Sequence, residues 1–318
     1  MLRCLLAGAA AALALAPTAL AGGPSPGVTQ SSVGVRLPQG TVRYVAQPEG
    51  LGTTVSAIRD SDGRVLRSGT FAGSWGVPVV ALDGTTDGLS RGGHTLVLGD
   101  ASQQTSPLRH VSRFLVVDAA TLGSLARVQL RGDFAFDALS PDGTVLYLVQ
   151  HLSTEDLSRY VVRAYDLAHG RLLAHRIADR TQRGWVMQGY PMARATSPGG
   201  RMVYTLYQNP GGFPFIHALD TVRSTAHCIG VPWRANQDGL SKLRLSLIDG
   251  SRQLTLGWRG GKTFIAVNTR TYRLSRPATA GAGFPWWPIA VGGSVLLAAL
   301  GGAVVRRGKP GPLKGRAE

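Results

Sequence analysis

Four copies of one short pattern constrain this chain more than any other feature. Leu89-Ser90-Arg91-Gly92-Gly93, Leu139-Ser140-Pro141-Asp142-Gly143, Thr196-Ser197-Pro198-Gly199-Gly200 and Leu245-Ser246-Leu247-Ile248-Asp249-Gly250 each precede a run rich in β-formers. Their serines are 50, 57 and 49 residues apart, and a weaker copy surrounds Ser61-Asp62-Gly63. Proline presets φ for a tight turn and glycine takes the positive φ, so each copy reads as a bend between strands. In the best copy the strands are expected at Phe134–Leu139, Thr144–Val149, Tyr160–Asp166 and Arg171–Ile177, and the next repeats them at Met202–Tyr207 and Phe213–Asp220. Asp118, Asp166, Asp220 and Asn268 centre a second turn in each unit. Helical periodicity is missing between residues 40 and 275, which makes the region all-β.

Four short strands per roughly 50 residues is the arithmetic of a propeller blade. Residues 41–276 then hold five blades of four antiparallel strands. Ser-Pro-Asp-Gly at 140–143, Leu146-Tyr147, Tyr165-Asp166-Leu167 and Gly170 together resemble the YVTN and TolB/WD40-like β-propeller repeats. The resemblance implies the fold and leaves function open, because such propellers host binding modules, scaffolds and some enzymes. In the blades Leu146, Leu148, Val162, Ala164, Val203, Thr205, Ile216 and Ala218 are expected in the layers between sheets.

Both ends read as targeting segments. Arg3, the apolar run Leu5–Leu15 and Ala19-Leu20-Ala21 make residues 1–21 a signal peptide cleaved before Gly22. Residues 22–40 are a flexible Gly/Pro/Ser lead-in and 277–283 a stalk. Residues 284–305 form a transmembrane helix: 22 residues span about 33 Å, close to a hydrocarbon core of about 30 Å. Trp286 and Trp287 suit the interface, and Ile289–Val305 carries no charge. Arg306-Arg307 opens a basic cytoplasmic tail, 306–318. The expected location is the cell membrane, single-pass, with the ectodomain outside.

The net charge of +16 resembles a nucleic-acid signal, yet only four residues are lysine and the arginines are scattered without a block. The charge reads as a coding bias, and no nucleic-acid partner is expected. Two cysteines exclude a disulfide scaffold and a four-thiolate zinc site. Cys228, alone in the mature chain, is either a small buried hydrophobe or an intermolecular disulfide partner.

No nucleophile elbow, zinc-protease helix or phosphate loop occurs, and no two of the seven histidines are spaced as metal ligands. Asp60-Ser61-Asp62-Gly63 and Asp83/Asp87 read as turns, not calcium loops. No catalytic, metal or cofactor-binding residue is expected. The two short turns of each blade share one face, and the longer connections share the other. That long-loop face offers His151, Glu155, Asp156, Arg180, Arg183, Trp185, Tyr190, Tyr207, Asn209, Trp233 and Asn236 as candidates to contact a protein or polar ligand. Trp185, Tyr190 and Tyr207 are expected to be exposed. The leading expectation is a non-enzymatic binding or interaction module. The alternatives are a lactonase-like hydrolase using the central funnel, which needs acids or histidines converging on one point, and an extracytoplasmic sensor subunit.

Overall fold

In chain order the strands form five antiparallel sheets. A short β1 (Val28–Thr29) precedes the first sheet, β2 (Val35–Arg36), β3 (Val42–Glu49), β4 (Gly52–Arg59) and β5 (Val65–Ala72). The second holds β6 (Trp75–Pro78), β7 (Thr95–Asp100), β8 (Val111–Asp118) and β9 (Ser124–Arg131), with β1 added beside β6. The third is β10 (Phe134–Leu139), β11 (Val145–His151), β12 (Arg159–Asp166) and β13 (Arg171–Ile177), and β14 (Met187–Gln188) pairs back onto β12. The fourth is β15 (Tyr190–Thr196), β16 (Met202–Gln208), β17 (Phe215–Asp220) and β18 (Thr225–Gly230). A 3-10 turn, Gln237–Lys242, leads to the fifth: β19 (Leu243–Ile248), β20 (Gln253–Trp258), β21 (Thr263–Asn268) and β22 (Leu274–Ser275). This computed structural model describes residues 26–102, 108–156, 158–179, 181, 186–233 and 237–275. Five four-stranded meanders in sequence order are consistent with a β-propeller. The signal peptide, stalk, 284–305 segment and tail lie outside the described residues, among which no helix is long and apolar enough to cross a membrane.

The repeat's turn chemistry explains the strand order. Gly93, Gly143 and Gly200 donate N–H bonds of 2.8–2.9 Å to the carbonyls of Ser90, Ser140 and Ser197. Each serine Oγ then accepts the N–H five residues on, from Thr95, Val145 and Met202. Gly143 adopts φ +76°, a conformation open to glycine at little cost. The second turn is equally regular. Asp118, Asp166, Asp220 and Asn268 each accept, on Oδ1, the N–H three residues later at 2.7–3.0 Å. One residue further, Leu122, Gly170, Ser224 and Tyr272 all turn left-handed.

Three expectations need correction. The first copy of the repeat is Leu37-Pro38-Gln39-Gly40 between β2 and β3, where Gly40 N–H bonds the Leu37 carbonyl at 2.9 Å. Ser61-Asp62-Gly63 instead closes the turn between β4 and β5. The lead-in is also not a free segment, because β1 and β2 pair into sheets. In the fifth sheet Ser246 is no turn residue but sits within β19 opposite Thr255, and Asp249–Arg252 makes the turn.

Adjacent sheets bury shared apolar clusters. Ala46, Val55 and Phe71 pack with Val77, Leu98 and Leu115 between the first and second. Val97 and Phe114 meet Phe136, Leu146 and Leu148 between the second and third. Tyr147, Val162 and Ala164 meet Val203 and Leu219 between the third and fourth. Leu206, Ile216 and Ala218 meet Leu245, Leu256 and Ile265 between the fourth and fifth. The expected layer residues are all buried. Because Val162 lies across from Val149 and Arg163 from Leu148, the Val162–Ala164 row shares a face with Tyr147, whereas Leu146 and Leu148 point to the other neighbour. Each fully buried leucine contributes roughly 2 kcal/mol. The repeat tyrosine also ties sheets together. Tyr44 donates to the Ala119 carbonyl at 3.0 Å and Tyr147 to the Thr221 carbonyl at 2.7 Å, each in the second turn of a neighbouring sheet.

Among the described residues no such cluster joins the fifth sheet to the first. Thr255 stands in the fifth sheet where the third and fourth have Tyr147 and Tyr204, each beside an alanine of the next strand. The residues there are smaller or polar yet still buried: Ser56 lies across from Val45 in the first sheet and Thr255 across from Ser246 in the fifth.

Candidate functional site

The first strands of the third and fourth sheets, β10 and β15, are mostly apolar and buried, so a charge within them stands out. Asp87, Asp137 and Arg194 each lie three residues before a turn serine: Ser90, Ser140 and Ser197. Asp137 lies in β10 and Arg194 in β15, and Asp87, in the segment that follows β6, is near enough to feel both charges. Arg194 and Asp137 form an ion pair with side chains only 2% and 3% exposed. The Arg194 guanidinium also donates to the Asp137 carbonyl and, through Nε, to Thr205 Oγ1 at 3.1 Å. Asp137 Oδ2 is left without a partner. Burial pushes the Asp87 carboxyl up, while Arg194 and Arg91 pull it down. Residues 79–88 reach two other sheets: Leu82 N–H bonds the Pro191 carbonyl of β15 at 2.8 Å, and Thr86 Oγ1 donates to the Gly34 carbonyl, next to β2, at 2.7 Å.

From Arg194 a polar row crosses the fourth sheet through Thr205, His217 and Cys228. His217 is 1% exposed, its Nε2 has no partner, and burial pushes its pKa down to about 4, so the ring is neutral. Burial, with Asp179 adding to it, pushes the Cys228 thiol up to about 12. Asp179 accepts from Cys228 N–H at 2.9 Å and pairs with His227 Nδ1 at 2.7 Å. Beside this row a cavity of about 20 Å³, lined by Asp137, His151, Tyr160 and Tyr207, holds room for about one water. Among the described residues no three His, Cys, Asp or Glu groups could hold a metal ion.

The residues expected on the long-loop face separate into three groups. Arg180, Arg183, Trp185 and Asn236 lie outside the described residues. Glu155 is exposed, and Asp156, Tyr190 and Asn209 are half-buried. Asp156 is engaged in fastening its own loop: it accepts from Ser158 and from Gln188 Nε2 at 3.0 Å. Asn209 exchanges backbone bonds with the Gln237 amide.

The third group is buried, contrary to expectation. Tyr207 is 3% exposed and stacks between Tyr160 and Phe215, at 5.3 and 5.2 Å. It belongs to the interior of β16, whose last residue is Gln208. Trp233 is buried against Trp258 and Phe264. His151 ends β11 and gives Nδ1 to Asp133 at 3.0 Å. Asp133 also binds Arg109 Nε at 2.5 Å. Burial pushes the Asp133 carboxyl up, but the His151 hydrogen bond and Arg109 outweigh it and hold the group below its usual range.

The side chains that do face outward on the long-loop side were not singled out in the sequence. Leu51, Leu152, Phe213 and Trp258 are 101%, 40%, 67% and 44% exposed. Each sits at or beside the connection between the second and third strands of its sheet, in the first, third, fourth and fifth sheets. The common position within the repeat was the available signal.

On the opposite, short-turn side, four turns surround a cavity of about 630 Å³. Its walls are Leu37–Gly40 of the first sheet, Arg91 of the second, Ala195, Thr196 and Pro198 of the fourth, and Leu245–Leu247 with Ser251 of the fifth.

No family model matches this chain, and no curated protein matches it. Among solved structures it is similar to the Myceliophteria thermophila Cps50 (Swd1) β-propeller domain, at 12% identity over 81% of this chain and 68% of that one, with a TM-score of 0.43. It is similar to Kuenenia stuttgartiensis hydrazine synthase at 13% identity over 76% and 80%, with a TM-score of 0.40. TolB from Acinetobacter baumannii gives 12% identity over 74% and 56%, with a TM-score of 0.33.

Proposed function

We propose that this chain is a membrane-tethered, extracytoplasmic β-propeller that acts as a non-enzymatic interaction module, engaging a protein partner through its long-loop face. The observation that carries the reading is the set Leu51, Leu152, Phe213 and Trp258, exposed apolar side chains at equivalent positions of four sheets. Exposed large apolar groups collected on one face mark interaction surfaces, and aromatic anchors dominate their energetics. The cavity beside Asp137 and His151 measures only about 20 Å³, and Asp137 is already paired with Arg194, which disfavours the hydrolase alternative. The tether rests on the charge-free stretch Ile289–Val305 followed by Arg306-Arg307.

The test has two arms. Protease shaving of intact cells should release the propeller and leave a small membrane fragment; recovery of the intact chain from the cytosol would overturn the topology. Crosslinking capture with the wild-type chain should yield a partner that Phe213→Ser and Trp258→Ser each lose at unchanged melting temperature. Retention of the same partner by both variants would overturn the choice of face.

A further inference from the structure

We propose that the cavity at the short-turn mouth binds a small organic carboxylate bearing hydroxyl groups, with Arg91 holding the carboxylate. The cavity lies on the face opposite the surface assigned to a protein partner, and neither reading depends on the other. Its volume of about 630 Å³ falls within the usual range for small-molecule pockets, roughly 300–1,000 Å³.

The ligand class follows from the lining. Arg91 is the one charged side chain on the described walls, and it forms no ion pair there. Asp87 feels its charge without pairing to it. A guanidinium lining a half-open cleft favours a planar, bidentate anion, which a carboxylate supplies. A cationic ligand would meet an uncompensated positive charge. A neutral one would desolvate the guanidinium without pairing it. Gln39, Thr196, Ser246 and Ser251 add amide and hydroxyl groups suited to ligand hydroxyls, and Leu37, Pro198 and Leu247 supply apolar wall for its carbon skeleton.

The position of Arg91 is built rather than incidental. Its stem lies over Gly200, where a Cβ would come within 2.2 Å of Arg91 Cγ and where φ is +74°. Gly92 N–H bonds the Pro141 carbonyl at 3.0 Å and so fastens the turn that carries Arg91 to the next sheet. The cavity also sits where the fifth sheet meets the first, the one junction without a shared apolar cluster among the described residues. A ligand there touches both sheets, so its binding free energy adds to the closure of that junction and appears as stability.

The experiment titrates the purified full-length chain with glucuronate, with glucose as its counterpart lacking the carboxylate, and with inorganic phosphate. Calorimetry gives the affinity and a thermal scan the stabilisation. Glucuronate is expected to bind and raise the melting temperature, glucose to do neither, and phosphate to bind more weakly. Arg91→Gln should weaken glucuronate by about tenfold or more, the loss of a charge-assisted bidentate contact. Arg91→Lys, which keeps the charge and the fold but loses the fork, should fall between. Equal behaviour of glucose and glucuronate, unchanged binding by Arg91→Gln, or phosphate as tight as glucuronate would each overturn the assignment. So would failure of glucuronate, gluconate and benzoate alike to bind at about 10 mM, a concentration that detects even millimolar affinity.

Discussion

Replacing Arg194 with methionine removes a buried charge without opening a large hole, and its cost can be reasoned from the structure. The guanidinium is 2% exposed and serves three acceptors: the Asp137 carboxylate, the Asp137 carbonyl and Thr205 Oγ1. Its loss leaves a carboxylate 3% exposed, with one oxygen already lacking a partner, to carry its charge alone. Breaking a buried pair from one side costs about 3–5 kcal/mol, because the remaining ion keeps its desolvation penalty and loses its compensation. That is a large part of a typical domain stability of about 5–15 kcal/mol. For a domain of this size each kcal/mol moves the melting temperature about 2–4 °C, so Arg194→Met should melt roughly 6–20 °C lower. Urea titration at neutral pH should show the midpoint shift with an unchanged slope. Asp137→Leu combined with Arg194→Met should recover most of the loss, since an apolar pair carries no desolvation penalty. A single-variant cost below about 1 kcal/mol would falsify the buried-pair argument, and so would a double variant as unstable as the two singles added together.

His217, neutral in the fold and driven down to about 4 by burial, should make stability fall as pH drops from its ordinary 6.5 toward 4. The unfolded chain takes up the proton first, so the loss reaches roughly 3 kcal/mol, and His217→Phe should flatten that limb of a denaturation-against-pH curve. Tyr207→Ala should cost about 3–5 kcal/mol in urea, because the ring packs between Tyr160 and Phe215; a near-neutral effect would return Tyr207 to the list of surface contacts. Cys228, half-buried and with a thiol pushed up to about 12, should be alkylated far more slowly at pH 8 in the native chain than in urea, and equal rates would contradict the raised thiol. Gly143→Ala should destabilise through both its φ of +76° and a Cβ 2.3 Å from Thr95 Oγ1, whereas Gly63→Ala, which has open space, should show the φ cost alone in the same thermal scan.

Local chemistry was legible in the sequence. The serine and asparagine/aspartate turns act within five residues of themselves, so their spacing announced five four-stranded units and the order of strands within each. The strands Phe134–Leu139 and Arg171–Ile177 were placed to the residue, because turn residues bound them on both sides. The first repeat escaped because Leu37 stands where the others have serine; the carbonyl-to-glycine bond closes that turn without any side chain. Ser246 misled for the converse reason: the serine is present, but the turn is made three residues later, where Arg252 N–H bonds the Asp249 carbonyl.

What only the tertiary structure decided depends on which faces meet. Alternation along a strand states that two faces exist but not which neighbour each one touches, so Val162 and Leu148 were both read as layer residues although they belong to different interfaces. The same limit governs the site. Tyr207 lies within a residue of a loop and is buried by the rings of Tyr160 and Phe215, and Phe213, two residues before a strand, is exposed. Asp87, Asp137 and Arg194 share one repeat position, a pattern visible along the chain. The pairing of Asp137 with Arg194 exists only because two first strands, β10 and β15, roughly 50 residues apart in sequence, converge where water is excluded and an unpaired charge is costly.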